Sequence, residues 1–128
     1  MDRSTSRPTT CKSHNTAAQS HPDAALLRLM SEHVKAQARV EAAEVALEVA
    51  PASMPDRAFD RLCAKVSGIE DAILAQLSRT PEGLGIKARI AARYMQAPED
   101  WGLRTYEVLG RFVQEIAHLT DRATSGRV

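Results

Sequence analysis

Four of the six prolines in this chain are followed directly by an acid: HPD at 21–23, MPD at 54–56, TPE at 80–82 and APE at 97–99. Each precedes a stretch of helical periodicity. A proline in the first turn of a helix sacrifices no hydrogen bond, because its missing N–H has no partner there. An acid at the same place sits on the positive end of the helix dipole. Ser20 and Ser53 lie three residues before Asp23 and Asp56, a loose capping-box spacing, and Thr80 is a natural N-cap. The repeated punctuation therefore predicts four helices, over about 22–50, 54–78, 81–97 and 99–122. No stretch alternates in the manner of a strand.

The expected fold is all-α. A long antiparallel hairpin of the first two helices packs with two shorter helices. Residues 1–20 read as a disordered, basic, Ser/Thr-rich tail, 21–122 as a single helical domain, and 123–128 as a frayed C-terminus. With 128 residues there is room for one modest core, and aromatics at 4% keep it thin. The link APASM is short enough to make the first two helices antiparallel neighbours. Glu41, Glu44 and Glu48 late in the first helix would then face Arg57, Arg61 and Lys65 early in the second.

The first helix carries two apolar stripes. Leu26, Leu29, His33, Ala36, Val40, Ala43, Leu47 and Ala50 form one; Leu27, Val34, Ala38, Val45 and Val49 form the other. One neighbour covers one stripe, so the second stripe is the candidate interface for a further helix or another chain. In the second helix Phe59, Leu62, Val66, Ile69 and Ile73 share a face, with Cys63 beside them as a small core residue. In the fourth, Tyr106, Leu109, Phe112, Val113, Ile116 and Leu119 are expected to face the core, and Glu107, Arg111, Glu115 and His118 the solvent.

Composition excludes several classes. Lys plus Arg is 17 against 16 for Asp plus Glu, so no net field selects nucleic acid or an acidic partner. No apolar run approaches the ~20 residues of a membrane span, and the first twenty residues lack the apolar core of a secretion signal. A cytoplasmic protein is expected. Two cysteines, Cys11 and Cys63, make no disulfide framework.

The segment RTPEGLGIKARI opens the most basic helix, with Lys87, Arg89 and Arg93 as candidate nucleic-acid contacts in the manner of a recognition helix. Against this, Lys87 projects from a different side, near Ile90 and Tyr94, and there is no Asn, Gln or Ser beyond Gln96 to read base edges. Gly83 and Gly85 at a helix start suit an anion, but GLG is no P-loop, and Glu82 would repel phosphate. Close approach of a neighbouring helix is the simpler use of those glycines. Cys11, His14 and His21 supply three of the roughly four ligands zinc needs, in a polar tail. His33 on the main stripe reads as a core-edge residue with one bonded nitrogen. Asp60, Glu70 and Asp71 do not form the ExxH pattern of a di-iron bundle, and no nucleophile–base set assembles.

TPEGLGIKA resembles a segment, (T)-x-E-G-L-x-x-K-A, of small uncharacterised helical proteins of proteobacteria; Thr80, Glu82, Gly83, Leu84, Lys87 and Ala88 carry the match. The resemblance implies a bacterial protein and transfers no activity or functional residue. The sequence thus points to a non-catalytic helical protein without cofactor or metal, which self-associates or docks on a protein partner. Nucleic-acid binding through the third helix is the alternative.

Overall fold

The computed structural model describes residues 21–126; the expected tail at 1–20, with Cys11 and His14, lies outside them. The fold is all-α, with four helices: α1 (Ala24–Val49), α2 (Asp56–Ala75), α3 (Pro81–Met95) and α4 (Leu103–Gly126). A single 3-10 turn, Pro98–Asp100, separates α3 from α4. The hairpin of α1 and α2 is the main packing unit, as the short link requires, and α3 bridges it to α4.

The core follows the main stripes. Leu26, His33, Ala36, Val40 and Ala43 of α1 are buried against Val66, Ile69, Ile73 and Leu74 of α2. Ile86, Ile90 and Ala91 of α3 and Val108 of α4 close it. Phe59, Leu62 and Cys63 pack at its edge. Alanine at 36 and 43 lets the helices of the hairpin approach closely, which compensates for the scarcity of aromatic side chains.

The prolines act as helix starts in three places. Thr80 caps α3: its hydroxyl accepts from the Gly83 amide at 3.1 Å, with Pro81 first in the helix. Asp23 and Pro55 occupy the N-cap positions of α1 and α2 without side-chain caps. The fourth motif differs. Pro98 starts only the 3-10 turn, and α4 begins at Leu103, four residues later than expected from 99. Its helix then runs to Gly126, past the expected end at 122.

Two other expectations are corrected. Among the described residues no ion pair joins Glu41, Glu44 or Glu48 to Arg57, Arg61 or Lys65; Glu41 instead lies 4.0 Å from Arg93 of α3. The face of α4 is also rolled by roughly a quarter turn, at 100° per residue. Thr105 and Val108 are buried, and Glu115, expected in solvent, points inward. Tyr106 and Val113, expected in the core, are exposed.

Candidate functional site

The outer face of α1 stays open. Val34 is 57% exposed, Val45 61% and Val49 82%, and Ala38 is exposed with them. Leu27 alone of the five candidate interface residues is half-buried, packed on the core. Beside this face, α1 and α3 enclose two adjoining clefts of about 430 and 210 Å³; Val34 and Arg89 line both. A second apolar surface lies on α4. Leu103 is 90% exposed and Tyr106 and Val113 each 61%, with Trp101 meeting the Tyr106 ring edge-on at 5.8 Å. Where exposed apolar side chains join into a patch, they commonly mark an interface.

The three candidate nucleic-acid contacts do not come together. Arg89 and Arg93 are exposed, but Lys87 is fully buried. Its ammonium donates to the Gln76 carbonyl and to Glu115. Lys87 is therefore withdrawn from the basic cluster, because the chain between α2 and α3 needs a buried donor.

That connector, residues 76–80, is held by side chains from three helices. Glu115 accepts from the Ser78 amide at 3.1 Å. Asp23 accepts from the amides of Arg79 and Thr80, both at 2.9 Å, and from the Thr80 hydroxyl at 2.6 Å. Backbone polar groups taken from water need such partners. Burial pushes the Asp23 pKa up, but the Thr80 hydroxyl and the two amides outweigh it and hold it below the usual range. Glu115 behaves alike: burial raises it, and Lys87 and Ser78 bring it lower. The HPD and TPE motifs thus lock onto each other, since His21 also bonds Glu82 at 2.8 Å. Gly83 is where they meet. A Cβ there would lie 2.1 Å from Asp23 Oδ2 and 3.1 Å from Leu26 Cδ1. Gly85 has no such neighbour. Close approach explains the first glycine and not the second.

A second polar cluster centres on Glu70 of α2. Its carboxylate accepts from His33 Nε2 at 3.0 Å, the Tyr94 hydroxyl at 2.5 Å and Arg104 at 3.1 Å. Arg104 also donates to Asp71, Glu107 and the Ser67 carbonyl, and its guanidinium lies over the Tyr94 ring. Burial raises the Glu70 pKa, but His33, Tyr94 and Arg104 together pull it below its ordinary value. Tyr94 is raised by burial and by the neighbouring carboxylate. For Arg104 burial opposes the charge, and Asp71, Tyr94 and Glu70 outweigh it and raise its pKa. A cleft of about 280 Å³ adjoins this cluster, between Val40, Cys63, Val66 and Tyr94. Both Glu70 oxygens are already engaged by donors. A carboxylate so occupied ties α1, α3 and α4 to α2.

Compared with known protein families, with curated proteins and with solved structures, the chain matches none. No helix of the described residues is long and apolar enough to cross a membrane. Among those residues no group of three His, Cys, Asp or Glu is placed to hold a metal ion.

His33 was legible as a core-edge stripe histidine with one bonded nitrogen; it is bonded through Nε2 and lies deeper than that, fully buried. Its partner Glu70 was not, because the contact spans 37 positions and two helices. One signal was available: Glu70 follows Ile69 and precedes Ile73 on the buried face of α2, an odd place for an acid without a partner.

Proposed function

We propose that this protein is a non-catalytic helical module that binds protein surfaces, its own or another chain's, through the outer face of α1. One observation carries the reading: Val34, Ala38, Val45 and Val49 form an exposed apolar line on a helix whose opposite face is fully used by the core. Among the described residues α2 and α4 are engaged elsewhere, and α3 stands only at one edge of this line, which stays exposed. The saturated Glu70 and Glu115 clusters support the same reading, since their charges are spent on holding helices together. Nucleic-acid binding by α3 has less behind it, with Lys87 internal and Arg93 beside Glu41.

Affinity capture by the tagged full chain tests the proposal, with Val34→Glu plus Val45→Glu as control. Specific capture of an identified protein, including untagged copies of this chain, is expected from the wild type and lost in the variant. Identical capture by both, or none by either, contradicts it.

A further inference from the structure

The spacing of the open line on α1 is the same in both directions. Val34, Ala38, Val45 and Val49 are spaced four, seven and four residues apart, with the midpoint between Glu41 and Ala42. A two-fold axis through that midpoint, perpendicular to the helix, maps the line onto itself. Val34 then meets Val49 of a second copy, and Ala38 meets its Val45. Such a symmetric patch is what an isologous dimer requires. Ala42 and Ala46 are exposed alongside and small enough for a close helix approach, near the ~8 Å lower limit of interaxial distance. Leu27 falls outside the paired segment, and it is the one stripe residue turned to its own core.

Charge favours the same arrangement. In an antiparallel pair related by a two-fold axis, each flank of one helix faces the same flank of its partner. At 100° per residue, Gln37, Glu41, Glu44 and Glu48 lie on one flank of the line, with Glu41 beside the axis and 4.0 Å from Arg93. On that flank stands α3, which runs alongside α1 from the approach of Gly83 to Leu26 up to Arg93 near Glu41, so that Arg89 and Arg93 share a cleft with Val34, Gln37, Ala38 and Glu41. The axis sets these levels opposite residues 42–49 of the second copy. Arg89 faces Glu48 of the second copy there, and Arg93 faces its Glu44. Glu44, Glu48 and Arg89 form no ion pair within the described chain, and Arg93 has only the 4.0 Å contact to Glu41. Symmetry doubles the set to four cross-pairs.

We infer that the partner of the α1 face is a second copy of this chain, paired antiparallel about the Glu41–Ala42 midpoint and fixed in register by Arg89 and Arg93 against Glu48 and Glu44 of the second copy. This rests on the reading of α1 as a docking face. The role assigned to the two arginines replaces their candidate nucleic-acid role.

Sedimentation of the full chain at low salt tests the register by charge reversal. Arg89→Glu with Arg93→Glu sets acid against acid, and Glu44→Arg with Glu48→Arg sets base against base. All four residues are exposed, so both variants should keep the wild-type circular dichroism. Each alone should weaken dimerisation more than tenfold, and mixing the two should restore a heterodimer because every cross-pair is then opposite in sign. A dimer that Val34→Glu plus Val45→Glu dissociates, but that neither charge variant weakens and mixing does not affect, overturns the register and leaves the docking face standing. A dimer indifferent to all these variants overturns both. A wild type monomeric up to millimolar concentration overturns self-pairing, and the docking face is then judged by the capture experiment alone.

Discussion

Lys87 carries its ammonium into the interior, against Glu115 and the Gln76 carbonyl. It is wholly buried, and Glu115, the carboxylate that balances it, is nearly so. Removing one partner strands a charge in the core, which costs about 3–5 kcal/mol, whereas removing both for apolar side chains of similar size is far cheaper. Glu115→Leu should therefore lower the melting temperature sharply, and Lys87→Met added to it should recover much of the loss. A calorimetric cycle of the four proteins checks this, and additive losses would show that the two residues do not act as a pair. The buried acids also set the pH response. Asp23, Glu70 and Glu115 all titrate below their ordinary range in the folded chain. Unfolding therefore takes up protons in acid. Their stabilisation is complete above the ordinary values, 3.8 for Asp23 and 4.5 for the two glutamates, and is lost as pH falls through the lower folded ones. Denaturant midpoints should decline below those values, and Glu70→Gln should make the decline shallower.

At the scale of elements, the two glycines of GLG separate by environment. Gly83→Ala drives a methyl into the Asp23 carboxylate, itself fixed by three bonds to Arg79 and Thr80. It should cost about 1–3 kcal/mol, as overpacking does. Gly85→Ala meets open space in the same helix and should stabilise by up to ~1 kcal/mol from helix propensity. Melting curves of the two variants should move in opposite directions. The stripes of α1 and α2 were legible in the sequence because local periodicity alone decides them. The end of α2 and the roll of α4 were not. Helix α2 stops at Ala75, short of the expected 78, where Lys87, Glu115 and Asp23 supply partners for the backbone of 76–80 from afar. The same tie turns Glu115 inward and Val113 outward, against the hydrophobic pattern of α4. Hydrophobic periodicity carries no record of a charge pair between positions 87 and 115.

For the whole molecule, the hairpin of α1 and α2 is the frame, and its two sides have opposite fates. The inner side is sealed. Val66→Asp on the sealed face should unfold the chain, because an unpaired charge there costs several kcal/mol. The outer side of α1 is apolar and open, and among the described residues nothing covers it. Sedimentation equilibrium of the wild type and of Val34→Glu plus Val45→Glu, each with a circular dichroism melt, measures that side most directly. A wild-type mass that rises with concentration to a dimer is expected, together with a variant that is monomeric and melts no lower than the dissociated wild type. A variant that unfolds outright would place these valines inside the core and contradict the open face.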